Sequence, residues 1–248
     1  MPRRRNTTEP SNAGDAVPSR KSTLSQTTIS ERVKYDFHDN LPDTIAIPMS
    51  GHNRTRSPET THTSDFGTFG RYCELPLEKM TADQKRAYEF TMKERGQVPG
   101  PYKIFLQNPK LIEVMVPLGA YYQGHSSLSK AEIEIATNLT NARWLAAYSN
   151  YEHEMIAEED GGLPPEKVQA LIAGLPTSFE KPREQVVYEI TSALIVPRVV
   201  PTGLYRRAVN LLGDTGLTDL TVLIGYFTCI SLTLMAYDVP ASAIGLER

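Results

Sequence analysis

The side chains best suited to chemistry lie in a short polar segment, Tyr148-Ser149-Asn150-Tyr151-Glu152-His153, inside an otherwise apolar helical stretch. Histidine is the side chain that most readily exchanges protons near neutral pH. Ser149 precedes His153 by four residues, so the two side chains share one face of a helix. A hydroxyl beside an imidazole can act as nucleophile and base, or as a pair that relays a proton. The same spacing also fits a surface histidine with a structural hydrogen bond, because such pairs are common in helices.

Other familiar chemistries find few residues to support them. Glu152 and Glu154 flank His153 but project from other faces of the helix, so we expect no metal site. The phosphate-binding patterns G-x-G-x-x-G and G-x-x-x-x-G-K-[ST] are absent, as is the hydrolase pattern G-x-S-x-G. The two cysteines, Cys73 and Cys229, are too few for a disulfide scaffold or a cysteine-based zinc site. We therefore expect a protein that works without a metal or redox cofactor.

The elements that must position these side chains are helices. Two capping boxes, Thr81 with Gln84 and Ser129 with Glu132, each predict a helix start. The second box opens a long helical stretch that continues to about Glu158 and carries the polar segment. Prolines and glycines divide the rest of the chain into further helices, and no alternating pattern typical of a strand appears. The sequence therefore predicts an all-α domain over 66–248.

Residues 1–65 differ in composition from the rest of the chain. Ser, Thr, Pro and Arg are frequent and large apolar side chains are sparse, so we expect a mostly disordered leader. The apolar core of a secretory signal is missing. The net charge of −3 gives no electrostatic basis for binding nucleic acid. We expect a cytoplasmic protein, with mitochondrial targeting by the leader left open.

An uncharged segment near the C-terminus, from Leu220 to Tyr237, has about the minimum length of a membrane-spanning helix. It contains several serines and threonines, and Asp219 and Asp238 flank it in place of lysine or arginine. A helix buried in the core of a soluble domain fits this pattern better. We therefore expect no membrane partner.

The stretch 129–164 resembles the core signature of the carboxymuconolactone decarboxylase family, which includes the alkyl hydroperoxidase D-like proteins. That signature places a glutamate nineteen positions before a histidine, with an A-x-x-x-G-L-like tail after it. Here Glu134 precedes His153 by nineteen positions, and Ala157, Gly162 and Leu163 follow. The entry helices and the closing helix of the family are also similar to this chain, so the resemblance covers about 100–240.

The resemblance implies an alkyl hydroperoxidase D-like helical bundle in which Glu134 and His153 share one pocket. In one straight helix these residues would stand about 28 Å apart. The resemblance therefore also implies a break between them. We expect that break between Asn141 and Tyr148, although no glycine or proline marks it.

The chain departs from both branches of the family close to the histidine. In the peroxidase-like branch a Cys-x-x-Cys pair occupies the positions that are Ala146 and Ser149 here. A dithiol peroxidase cycle needs an attacking and a resolving thiol, so we do not expect it at this site. The decarboxylase-like branch often has Glu-Trp where this chain has Ser149-Asn150, which leaves the identity of the substrate open.

The resemblance implies a cofactor-free decarboxylase-like enzyme that acts on a small activated acid, β-keto or vinylogous, or on a lactone, in secondary metabolism. His153 would be the general acid/base, Glu134 would orient it, and Ser149 would donate a hydrogen bond to the substrate. Five further side chains are expected to form the substrate pocket: Tyr148, Trp144, Tyr122, His125 and Tyr226.

Two other functions remain open on the same residues. An isomerase, cyclase or hydrolase could use the same acid/base pair, and a non-catalytic oligomeric scaffold could keep the fold without the chemistry. Packing in the hydrophobic core would explain each aromatic residue of the expected pocket as well as contact with a substrate does. The resemblance also implies a homo-oligomer, from dimer to hexamer.

Overall fold

The structure, a computed structural model, describes residues 67–196 and 198–243 of the chain. The regular secondary structure of these residues is helical. No β-strand occurs in that part, which confirms the all-α prediction for those residues. The predicted leader, 1–65, lies outside the described residues. The α-helices are, in chain order, α1 (Ala82–Arg95), α2 (Gly100–Phe105), α3 (Pro109–Gly124), α4 (Lys130–Arg143), α5 (Ala147–Glu159), α6 (Pro165–Ile172), α7 (Pro182–Leu194) and α8 (Thr202–Ala236).

Both predicted capping boxes start helices. At the start of α1, the Thr81 side chain accepts from the Gln84 backbone at 3.2 Å and the Gln84 side chain accepts from the Thr81 backbone at 3.0 Å. Ser129 and Glu132 make the same reciprocal pair at the start of α4. Each box satisfies two backbone N–H groups that the helix itself leaves free. Gly96 ends α1 in the left-handed region with φ 72°.

Helix α4 lies at the centre of the bundle. Every residue from Ala131 to Asn141 is buried, and the helix packs against α5, α6, α7 and α8. Its polar members include Glu134, Thr137 and Asn138, none of which is more than marginally exposed. Buried polar groups are costly unless they are paired, so their concentration on one central helix indicates a functional site there.

Helix α8 carries the uncharged C-terminal segment. Gly213, with φ 73° and ψ 172°, interrupts the helix and separates its amphipathic first half from the apolar second half. The helix is long and apolar enough to cross a membrane by length and composition, but half of its most apolar stretch is buried within the described part of the protein. Leu220, Leu223 and Ile230 point into the core. This placement agrees with the interpretation of the segment as a core helix.

Asp219 on α8 holds the turn between α3 and α4 through hydrogen bonds. Its carboxylate accepts hydrogen bonds from the Tyr121 hydroxyl at 2.8 Å, the Ser126 hydroxyl at 3.2 Å, and the Ser127 backbone and hydroxyl at 2.8 and 2.7 Å. Burial alone would raise the pKa of Asp219, but the hydrogen bonds from Ser127, Tyr121 and Ser126 hold it below its ordinary value. The turn is thereby fixed just ahead of the central helix α4.

Candidate active site

The chain reverses direction between α4 and α5, inside the interval that the sequence predicts. Helix α4 ends at Arg143 and α5 begins at Ala147. The backbone N–H of Ala146 donates to the carbonyl of Asn141 at 3.0 Å, and that of Leu145 donates to the carbonyl of Ala142 at 3.1 Å. These two bonds form a Schellman motif, the usual left-handed end of a helix. The predicted break is confirmed.

Leu145 occupies the position in this motif that glycine usually takes. Its φ is +53° and its side chain is 81% exposed, so little packing offsets the steric cost of the left-handed conformation. The absence of glycine explains why the sequence contains no clear mark of the break.

We expect Leu145→Gly to stabilise the protein. Relief of the left-handed strain exceeds the entropy cost of a glycine, so the free energy of unfolding should rise by about 0.5 kcal/mol. Urea unfolding measures this change. The matched control is Leu175→Gly, an exposed leucine outside the left-handed region, which should lower the free energy. Equal effects of the two substitutions would contradict the strain at Leu145.

The reversal brings Glu134 and His153 into direct contact. The Nδ1 atom of His153 lies 2.7 Å from Oε2 of Glu134, and the side chains are 19% and 1% exposed. Because a carboxylate only accepts hydrogen bonds, Nδ1 carries the proton and donates it to Glu134. The Nε2 atom is the ring nitrogen that this bond leaves available. Asn138 secures the arrangement, because its amide donates to the carbonyls of Glu134 and His153 at 3.0 and 3.3 Å.

Lys130 completes the charge balance around Glu134. Its ammonium lies 2.9 Å from Oε1, one helical turn before the glutamate on α4. Burial alone would raise the pKa of Glu134, but the charges and hydrogen bonds of His153 and Lys130 hold it below its ordinary value. Glu134 is therefore an anion at neutral pH. The sequence signal for this contact is an i, i+4 pair of opposite charges, and the residues predicted for the site do not include Lys130.

A cavity of about 210 Å³ opens beside the pair. Four of the residues that the sequence predicts for the site line it together with Glu134 and His153: Ser149, Tyr148, Tyr122 and Tyr226. Phe227 also lines it, with its ring edge-on to the His153 imidazole at 5.0 Å between centroids. The volume is below the 300–1,000 Å³ of typical drug-sized sites, so the cavity suits a small ligand.

Tyr148 reaches the cavity because α2 begins with a glycine. A Cβ added at Gly100 would overlap the ring of Tyr148, so any larger residue at position 100 would displace this tyrosine. Burial, with the Glu152 carboxylate as a second cause, raises the pKa of Tyr148 to about 12. The hydroxyl therefore keeps its proton at neutral pH and can donate it in a hydrogen bond.

Two of the predicted pocket residues do not reach the cavity. Trp144 is the cap residue at the end of α4, so it lies at the reversal, where the Arg143 guanidinium sits 5.5 Å from its ring centroid. His125 follows the last turn of α3 and is exposed. Both residues cap the C-terminal ends of their helices, and neither is among the residues that line the cavity.

The structure adds polar residues that sequence reasoning missed. Arg95, the last residue of α1, and Tyr102 in α2 line the cavity beside Tyr226. The hydroxyls of Tyr102 and Tyr226 lie 2.5 Å apart. No spacing in the sequence links these residues to the histidine, because three separate helices bring them together.

Comparison with solved structures identifies the architecture. The apo structure of the debrominase Bmp8 matches with a TM-score of 0.55 at 12% identity, over 68% of this chain and 91% of that chain. An uncharacterized peroxidase-related protein from Silicibacter sp. TM1040 matches with a TM-score of 0.56 at 15% identity, over 73% and 94% of the two chains. The fold is alkyl hydroperoxidase D-like. No family model matches the sequence, and no curated protein matches it.

A third match on the alkyl hydroperoxidase D-like fold is a cysteine-to-alanine variant of Bmp8 in complex with 2,3,4-tribromopyrrole, with a TM-score of 0.55 at 13% identity, over 71% of this chain and 94% of that chain. At these identities the likeness concerns the fold alone. In the present chain no thiol lines the cavity among the described residues. Cys73 and Cys229 are exposed and lie outside it, while Ala146 and Ser149 occupy the reversal and the first turn of α5.

Proposed function

We propose that the protein is a cofactor-free, decarboxylase-like enzyme for a small activated carboxylic acid, β-keto or vinylogous, or a lactone. The observation that carries the proposal is the 2.7 Å contact between His153 and the buried Glu134, beside a small cavity that has no thiol among its described lining residues. An oriented imidazole in a small cavity with aromatic walls suits proton transfer to or from carbon.

The proposed reaction separates into two steps. The bond between the α-carbon and the carboxylate breaks, CO₂ leaves, and the electron pair remains as an enolate. The Nε2–H group of a protonated His153 then gives its proton to the α-carbon, and a proton from water restores the imidazolium. Glu134 keeps the ring oriented through Nδ1 and stabilises its positive charge.

The other cavity residues serve the first step. The walls formed by Tyr122, Tyr226 and Phe227 remove water from the substrate carboxylate, and loss of hydration favours its conversion to neutral CO₂. Ser149 and Tyr148 are the proposed donors to substrate oxygens, because both line the cavity and Tyr148 keeps its proton at neutral pH.

Two competing functions use the same geometry. An isomerase, cyclase or hydrolase would move a proton at the same histidine without releasing CO₂. A non-catalytic scaffold would lose nothing when His153 is replaced. Incubation with a panel of small β-keto and vinylogous acids, with CO₂ release as the readout, separates the decarboxylase from the first alternative. Metabolite profiling of a deletion strain would then identify the accumulating substrate.

We further propose that the protein is a homo-oligomer, with no nucleic-acid or membrane partner. The second half of α8 exposes Val222, Leu232 and Met235, each about 45% accessible, on a helix without a charge between Asp219 and Asp238. Such a surface is typical of a subunit contact.

Sedimentation velocity tests the oligomer. We expect a mass that is a multiple of the 27.6 kDa chain, and we expect Leu232→Glu to dissociate it because a charge would be buried in the contact. A control substitution at the exposed Val199, outside α8, should leave the mass unchanged. A single-chain mass for the unmodified protein at all concentrations would refute the proposal.

A further inference from the structure

Three polar groups from three helices meet at Gly119 on α3. A Cβ added there would overlap the Tyr102 hydroxyl and stand 2.8 Å from the Tyr226 hydroxyl and 3.1 Å from Nη1 of Arg95. All four residues line the same cavity as His153. The glycine therefore leaves the room in which two hydroxyls and a guanidinium nitrogen can lie side by side.

The guanidinium nitrogen has an unmet hydrogen-bonding capacity. Nη1 of Arg95 is buried and has no hydrogen-bond partner in the described part of the protein. The guanidinium carbon lies 5.6 Å from the centroid of the Tyr102 ring, which keeps the charged group against the cavity wall. A buried charged donor without an acceptor is costly, and such a group in a native structure calls for a functional explanation.

The neighbouring hydroxyls can supply a second donor. Tyr102 lies within hydrogen-bond distance of the Met115 carbonyl at 3.2 Å and of the Tyr226 hydroxyl at 2.5 Å. When Tyr102 donates to Tyr226, the proton of Tyr226 is available to a ligand. Burial raises the pKa of both tyrosines above the ordinary value, so both hydroxyls keep their protons at neutral pH.

The other charges of the cavity are already compensated or exposed. Glu134 is held by Lys130 and His153, and the Glu152 carboxylate at the cavity is exposed. The cluster at Gly119 is therefore where an added negative charge meets a buried guanidinium nitrogen that has no partner in the described part of the protein.

We propose that Arg95 and Tyr226, supported by Tyr102, form an oxyanion subsite for the carbonyl oxygen of the substrate, which becomes the enolate oxygen when CO₂ leaves. This inference rests on the proposed function and narrows its substrate to a β-keto acid, whose ketone oxygen binds in this subsite. A convergent pair of donors around one oxygen suits an enolate better than a carboxylate, which an arginine usually holds through two nitrogens. Ser149 and Tyr148 then donate hydrogen bonds to the other oxygens of the substrate.

The test uses 4-nitrophenol, whose phenolate mimics an enolate and absorbs differently from the neutral phenol. We expect the full-length protein to bind the phenolate form, and Arg95→Met to weaken that binding at least tenfold. Arg86→Met, at an exposed arginine of the same helix paired with Asp83, should leave it unchanged. Circular dichroism confirms that each variant is folded. Equal phenolate affinity of the unmodified protein and Arg95→Met, or no phenolate binding at all, would overturn the inference.

Further variants make the result independent of one substitution. Tyr226→Phe should weaken phenolate binding, and Gly119→Ala should do the same by displacing the Tyr102 hydroxyl. Gly124→Ala, at a glycine of α3 whose added Cβ meets nothing within 4 Å, is the control. Binding of benzoate in place of the phenolate would assign the cluster to carboxylates and overturn the oxyanion role.

Two different results distinguish a failure of the oxyanion subsite from a failure of the decarboxylase function. Arg95-dependent phenolate binding without CO₂ release from any acid leaves the subsite in place and removes the decarboxylase. CO₂ release that is unchanged in Arg95→Met keeps the decarboxylase and removes the subsite.

Discussion

Replacing His153 by alanine is expected to lower turnover by about a hundredfold or more, the usual effect of losing a general acid/base. The imidazole is the group that gives its proton to carbon in the proposed reaction. Among the described residues that line the cavity, no other combines an oriented ring nitrogen with contact to Glu134. Steady-state CO₂ release on the best acid of the panel measures the loss. The fold should persist, because Lys130 continues to pair with the buried carboxylate.

Two further histidine variants separate catalysis from structure. His153→Asn keeps a donor near the position of Nδ1 but cannot exchange a proton, so we expect it to be as inactive as the alanine variant. His125→Ala changes an exposed histidine outside the cavity and should leave turnover unchanged. Near-normal turnover of His153→Asn would assign this residue a structural role only.

Glu134→Gln should have a smaller effect than loss of the imidazole. The amide still contacts Nδ1 but no longer stabilises a positive ring. A hydrogen bond to a charged group exceeds a neutral one by roughly 1 kcal/mol, so turnover should fall about fivefold to tenfold. If Glu134→Gln turned over more slowly than His153→Ala, the assignment of His153 as the proton donor and Glu134 as its orienting partner would be contradicted.

The largest expected loss of stability follows from Asp219→Ala. The substitution leaves the hydroxyls of Tyr121, Ser126 and Ser127 and one backbone N–H without their acceptor, and it releases the turn before α4. Part of these groups is reached by water, so we expect the free energy of unfolding to fall by about 3 kcal/mol. Asp214→Ala, at an exposed aspartate of the same helix, is the matched control. Similar losses of unfolding free energy in both variants would refute the role of Asp219 in stabilising the turn before α4.

The same carboxylate makes stability depend on pH. Because the pKa of Asp219 is lower in the folded protein than its ordinary value, the unfolded chain takes up the proton first as the pH falls. The contribution of Asp219 is therefore complete above about pH 4–5, near and above the unfolded pKa, and is lost as the pH falls through the lower folded pKa. Glu134, whose pKa is also lowered, contributes in the same direction. Unfolding measured from pH 7 to pH 3 should show a shallower acid loss in Asp219→Ala than in the unmodified protein.

Local signals in the sequence predicted the helix starts well. The capping boxes at Thr81 and Ser129 depend only on residues three positions apart, so the local sequence is enough to predict them. The contact between Glu134 and His153 followed from the family resemblance and not from the local pattern. Leu145 gives the reason, since a leucine in the left-handed region carries no signal of a helix end.

The parts of the site that were missed or misassigned depend on tertiary structure. Trp144 and His125 stand near the right position in the chain, but each caps the end of a helix and neither lines the cavity. Arg95 was missed although Tyr226 was predicted, because the two are 131 positions apart in numbering and only the packing of α1, α2 and α8 around Gly119 brings them together. Sequence periodicity reports which face of a helix is buried and not which helices meet.

The central claim is that His153 delivers a proton to carbon after CO₂ leaves. It is tested most directly by incubating β-keto acids, labelled with ¹³C in the carboxyl group and bearing two different substituents on the α-carbon, in D₂O. For the unmodified protein we predict ¹³CO₂ release above the uncatalysed rate, with one deuterium in a single configuration at the α-carbon, and we predict that His153→Ala loses both. Equal release by the two proteins, or a racemic product from the unmodified enzyme, would contradict the account.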